Sequence, residues 1–262
     1  MKYLVLIKTK LDEYIAYRLN FIFWRVRNIF HLLLLFFLWQ NIYKGSVSIP
    51  GYTEAAIFTY IFVANSMSAL VLSSKTDQVG GDILNGNIIN QLLKPINFFS
   101  YVGTREIADK IMNLVFSLIE VTLFLVVFRP PFLLQTDITA WITLIPFLCI
   151  ALALSFLISF SLALIAFWST EIWAPRFIFM VIISLVSGTL FPLTLLPDPI
   201  YATAMLTPFP YLIYVPTQIY LFGWTADTFN YLMVSLVWIG IFSIIARTLW
   251  HKGMKEFSFF GR

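Results

Sequence analysis

Long uninterrupted apolar runs constrain this chain more than any other feature. About 20 consecutive, mostly apolar residues are needed to cross the hydrocarbon core of a bilayer as a helix. Six segments of the 262-residue sequence meet that length: about 21–43, 53–73, 107–128, 138–168, 177–196 and 231–250. Composition agrees, with 60% hydrophobic and 11% charged residues and a mean hydropathy of +0.87. A soluble domain is nearer half apolar and a quarter charged, and a core of this length cannot hide so much apolar surface from water. The expected fold class is therefore an all-α integral membrane protein with six transmembrane helices. It forms a single transmembrane domain over 1–262, and no soluble domain or internal repeat is visible.

Charge then sets the orientation. With an N-in/C-in arrangement of six spans, all of the 17 Lys and Arg residues except Lys44 and Arg129 fall on the cytoplasmic side. That bias is what the positive-inside rule predicts. The expected location is the inner (cytoplasmic) membrane, as a multi-pass protein.

Two regions depart from the simple span pattern. Residues 1–19 place Leu4, Ile7, Leu11, Tyr14 and Ile15 at three- and four-residue steps, the pattern of an amphipathic elbow helix lying along the inner membrane surface. Residues 197–223 are apolar but broken by Pro208, Pro210 and Pro216. Prolines at that density do not suit one straight helix, so short helices that enter the outer leaflet and return are expected. The alternative, a true seventh span, would put the termini on opposite sides.

The stretch "GGDILNGNIINQLLKPIN", residues 80–97, comes close to a phosphate-cradling loop in the spacing of Gly81 and Gly86. Asn87 stands where the lysine must be and Ile88 where the magnesium-binding hydroxyl must be, so the stretch has no machinery for nucleotide hydrolysis. Drawn as one helix over Asp82–Lys94, it puts Leu84, Ile88, Ile89, Leu92 and Leu93 on one face, and Asn87, Asn90, Gln91 and Lys94 on the other. Asp82 can cap its start and Pro95 can stop it. An apolar stripe too short to span, backed by an uncharged polar face, reads as a docking element. An interfacial helix without a partner is the plainer alternative.

No catalytic constellation is present. The lone Cys149 and the distant His31 and His251 give neither a metal site nor a nucleophile with its base. Glu120 is the one acid deep in an expected span. An intramembrane carboxylate there either lines a substrate path, with polar neighbours such as Asn65 and Ser66, or pairs with a polar group across a helix interface.

Several stretches, in order, carry a resemblance: "AYR" (Ala16–Arg18), "LW" (Leu38–Trp39), "IPGYT" (Ile49–Thr53), "GDILNGNIINQLLKPIN", "SGTLFPLTLLPDPI" (Ser187–Ile200), "PFPYLIYVPTQIYLFG" (Pro208–Gly223) and the terminal "LWHKGMKEFSFFGR". The chain resembles the membrane subunits of ATP-binding-cassette exporters of the type-2 architecture, and among them the bacterial multidrug, daunorubicin or viologen permeases. The resemblance implies that the loop at 80–97 holds the coupling helix, with Asp82, Asn87, Asn90, Gln91 and Lys94 toward a cytoplasmic ATPase dimer. It implies a second permease, a related chain or another copy of this one, and a partner that binds ATP and magnesium, with no cofactor in this chain. Membrane lipids are expected contacts and nucleic acid is not. At Lys94 the family carries arginine; the charge is kept but the planar, bidentate fork is lost. Rival readings are a proton- or sodium-driven secondary transporter using Glu120, and a non-transport envelope scaffold for an ATPase.

Overall fold

The structure is a computed structural model and describes residues 18–44, 51–93 and 97–257. The elbow helix expected over 1–19 lies outside the described residues except for its last two positions, and Lys94 and Pro95 lie outside them too. Among the described residues the chain is helical throughout: α1 (Arg18–Lys44), α2 (Glu54–Val71), α3 (Thr76–Leu84), α4 (Ile88–Leu92), α5 (Phe98–Phe128), α6 (Ile138–Ala163), α7 (Trp173–Val186), α8 (Asp198–Met205), α9 (Tyr214–Phe222) and α10 (Thr228–Glu256).

Side-chain caps mark several boundaries. Thr53 Oγ1 accepts from the Ala56 amide at 3.2 Å and Asp137 Oδ1 from the Thr139 amide at 2.9 Å, which satisfies amides that a helix start leaves without partners. Asn97 Oδ1 accepts from the Ser100 amide at 3.2 Å. That cap explains why α5 begins at Phe98, nine residues ahead of the apolar run read from the sequence. At its far end Arg129 adopts a left-handed conformation (φ 46°) and its amide donates to Leu125 O, before Pro130 and Pro131 forbid continuation.

Among the described residues four helices are long and apolar enough to cross a membrane: α2, α5, α6 with the 3₁₀ turn that extends it to Phe167, and α10. Helix α1 has the length, 27 residues, but carries Arg25 and Arg27 in its first half. The fifth expected span takes other bounds. Its helix, α7, has 14 residues and ends at Val186 rather than near 196. Gly188 then takes φ +81°, which no continuing helix allows, and the extended Pro192 leads into a short 3₁₀ turn, Leu193–Leu195, ahead of Pro197. Residues 197–223 form two short helices, α8 and α9, with the 3₁₀ turn Phe209–Tyr211 between them; they do not form one long helix.

Packing runs in three apolar clusters. The first joins α2, α6 and α9 through Tyr60, Ala64, Ala151, Leu154, Tyr214 and Ile219. The second joins α1, α2 and α5 through Leu32, Phe36, Trp39, Phe58, Phe62 and Phe124. The third seats α3 and α4, through Val79, Ile83 and Ile88, on Phe98, Val102, Phe160, Leu164 and Ala246. Outward positions such as Leu123, Val126 and Val127 on α5, or Val237 and Ile244 on α10, stay exposed and apolar. That is the surface a lipid-facing helix presents, because acyl chains are as apolar as leucine. The chain is an all-α membrane protein.

Candidate functional site

Two features come out of this packing: a helical hairpin, α3–α4, and a cleft beside it. The hairpin departs from the single helix drawn over Asp82–Lys94. Gly86 sits between α3 and α4 with φ +72°, a left-handed conformation that costs glycine little and breaks an α-helix. Asp82 therefore lies inside α3 rather than capping a helix, and its carboxylate accepts from Gln91 Nε2 on α4. This clasp closes the hairpin and turns Gln91 inward to 9% exposure. Asn87 and Asn90 are exposed. The apolar assignments shift as well. Ile88 is fully buried, but Leu84 and Leu93 are exposed, and Val79 and Ile83 hold the hairpin in place of Leu84.

The hairpin is fastened to the long helices by polar contacts that sequence reasoning missed. Lys110 Nζ on α5 donates to three main-chain oxygens at the end of α2: Leu70 at 3.2 Å, Val71 at 2.9 Å and Ser73 at 2.9 Å. Helix C-termini expose carbonyls that need donors and favour a cation; one ammonium with three N–H groups answers both needs. Lys110 also lies 3.2 Å from Glu106 Oε1, one turn earlier. Glu106 Oε2 in turn accepts from Ser74 Oγ at 3.1 Å and the Lys75 amide at 3.2 Å. The segment 73–75, which leads into α3, is thus held on both sides by one turn of α5. Arg105, beside that turn, donates to Gln78 Oε1 of α3. Gly80 lets α3 lie against the end of α6; a Cβ there would meet Ala163 O at 3.3 Å. The Glu106/Lys110 pair at i, i+4 was visible in the sequence, but the expected span began at 107, so its first acid was left outside the membrane-crossing helix.

The cleft has a volume of about 1160 Å³. It is walled by α1, the end of α2, α5, α6 and α7, with Arg25, Arg27, Asn65, Asp109, Ser159 and Arg176 among its polar residues. Of the sequence-nominated path residues, only Asn65 lines it. Ser66 is turned to its own helix, donating to Phe62 O at 3.0 Å and accepting from Ser117 Oγ at 3.3 Å. Glu120 lies outside the lining and accepts from Arg25 Nη1 at 3.4 Å, both side chains being buried. Arg25 also donates to Asn113 Oδ1. Of the two roles left open for Glu120, pairing across the α1–α5 interface is the one the geometry displays. Among the described residues no group of three or more His, Cys, Asp or Glu is placed to hold a metal ion.

The described residues form an all-helical membrane domain with a cleft open among its helices and a hairpin seated at one end, an architecture that by itself defines the class of polytopic helical membrane proteins. The particular family follows from comparison: the profile of the "ABC-2 family transporter protein" family matches residues 14–261. The chain belongs to that family and is a multi-pass permease of the cell membrane, a transport component. No curated protein matches it.

Proposed function

We propose that the chain is one half of the translocation pathway of an ATP-driven exporter. It spans the membrane six times, N-in/C-in, and couples to a separate cytoplasmic ATPase through the α3–α4 hairpin. ATP and magnesium are held by that ATPase dimer, and a second permease, a related chain or another copy, completes the path. The observation that carries the reading is the hairpin itself. Its outer turn offers Asn87 and Asn90, and its inner side is tied to α5 through Glu106, Lys110 and Arg105. A push on the outer turn is therefore passed to a long helix rather than absorbed in a loose loop. Coupling of this kind requires that the ATPase contact the hairpin differently in its two states.

Cysteine cross-linking tests the proposal. With Cys149 replaced by Ser, single cysteines at Asn87 and Asn90 should cross-link to a co-expressed ATPase in an ATP-sensitive manner. Absence of an ATP-sensitive cross-link at both positions rejects the hairpin as the coupling element. A secondary transporter using Glu120 finds less support, because its carboxylate is engaged by Arg25 and is not among the residues that line the cleft.

A further inference from the structure

The cleft's lining has a chemical bias. Among the described residues, Arg25, Arg27, Lys75 and Arg176 line it against a single carboxylate, Asp109. Glu120 pairs with Arg25 from outside the lining, and all four cations have contacts of their own. Arg27 comes from α1 and Arg176 from α7, so cations reach the cleft from two helices that the sequence separates by more than a hundred residues. Neither needs to be without a partner for this to matter. A guanidinium has five N–H donors in a planar fork, and a contact on one edge leaves the other able to take an oxyanion. The opposite character is also present. Trp173, Phe177 and Met180 of α7 line the same cleft and are 66%, 50% and 59% exposed. Polar and apolar walls in one cleft suit an amphiphile, and guanidinium forks reaching it from two helices suit an oxyanion head group.

We propose that this cleft binds an amphiphile whose head group is an oxyanion, a phosphate, sulfate or carboxylate, with Arg27 and Arg176 on the head and Trp173, Phe177 and Met180 on the tail. This rests on reading the chain as a permease and names the class of its cargo. The same chemistry is offered by an anionic phospholipid resident in the membrane, and the experiment separates the two sources.

The full chain in phosphatidylcholine nanodiscs is titrated with three amphiphiles that share a brominated dodecyl tail and carry a phosphate, a trimethylammonium or a maltose head. The readout is bromine quenching of Trp173, taken as the difference between wild type and Trp173→Phe. The alkyl phosphate is expected to bind saturably and about tenfold more tightly than either other head. The double variant Arg27→Gln/Arg176→Gln should lose about that factor for phosphate alone. An unchanged affinity for the maltoside shows that the variant is folded, and Arg27→Lys/Arg176→Lys should restore part of the preference. Equal affinity for all three heads, tighter binding of the cation, or no effect of the double variant overturns the proposal. Added phosphatidylglycerol that displaces the alkyl phosphate assigns the site to resident lipid and removes the cargo assignment; failure to displace it supports cargo. None of these readouts needs the ATPase. Intact phosphate binding with no ATP-dependent transport therefore rejects the exporter reading and leaves the site standing.

Discussion

Lys110 Nζ lies 2.9 Å from the main-chain oxygen of Val71, and through that contact the last turn of α2 is capped by a side chain of α5. The same ammonium reaches Leu70 and Ser73 and pairs with Glu106, so one residue fixes both the end of a membrane helix and the entry to the α3–α4 hairpin.

Lys110→Met should therefore be among the most damaging single changes in the chain. It removes a donor from three carbonyls, of which Leu70 O and Val71 O keep Ser73 Oγ and Ser155 Oγ, and leaves Glu106 buried at 5% exposure without its cation. Breaking one partner of a buried pair costs about 3–5 kcal/mol. Thermal unfolding of the solubilised protein should show the loss, and Glu106→Gln/Lys110→Met should be milder than Lys110→Met alone, since no uncompensated charge remains. A double change that costs the sum of the singles refutes the coupling.

Gly86→Ala tests the break between α3 and α4. No atom lies within 4 Å of a Cβ built there, so the penalty is conformational, about 1 kcal/mol for holding alanine at a left-handed φ. Gly86→Asn should cost less. Under the coupling proposal, Gly86→Ala should reduce recovery of the ATPase with the permease more than it reduces the amount of folded permease. Equal reductions would show that the turn matters to folding only.

Gly188 meets a different limit. Besides φ +81°, a Cβ there would lie 2.6 Å from Tyr60 Oη and 2.8 Å from Tyr214 Cβ. Tyr60 Oη donates to Gly188 O at 2.5 Å, and the Tyr214 amide donates to Ser187 O at 2.9 Å, so neither neighbour can retreat cheaply. Gly188→Ala should lower stability by about 3 kcal/mol, from left-handed strain together with overpacking. Tyr60→Phe, which loses one buried hydrogen bond, should cost about 1 kcal/mol. The order of the two unfolding temperatures checks the argument.

Glu120→Leu and Glu120→Gln separate a structural carboxylate from a transporting one. Leucine removes the carboxylate from buried Arg25, which keeps Asn113 Oδ1, and should cost about 1–3 kcal/mol, whereas glutamine keeps an acceptor for Arg25 Nη1 and should cost less. Transport per folded Glu120→Gln molecule is expected to match wild type. A loss of transport with normal folding would put Glu120 back on the path.

The comparison of sequence and structure divides along one line. Apolar runs of span length were legible because membrane insertion is a property of composition over a window, with no need to know the neighbours. The proline-broken region 197–223 was legible for a related reason: prolines at that density disfavour one long straight helix, although Pro146 lies inside α6 and Pro216 in the first turn of α9. The hairpin was only half legible. Its apolar stripe was seen, but a single helix was drawn through Gly86, and Leu84 was given the contact that Ile83 makes. A helical wheel fixes relative directions within one helix; it cannot locate a left-handed residue whose conformation is stabilised by a clasp such as Gln91 to Asp82.

The site residues divide in the same way. Glu120 was identifiable as costly in a membrane, but its partner Arg25 lies 95 positions away, and no local pattern links them. Glu106, Lys110, Arg27 and Arg176 gain their roles only when α1, α2, α5 and α7 come together. By itself the sequence determined the class, an all-helical membrane protein, because burial in lipid depends on apolar length. The tertiary structure alone decided which charges face each other, which cap a neighbouring helix and which line the cleft. Those depend on distances of a few ångströms between segments far apart in the chain.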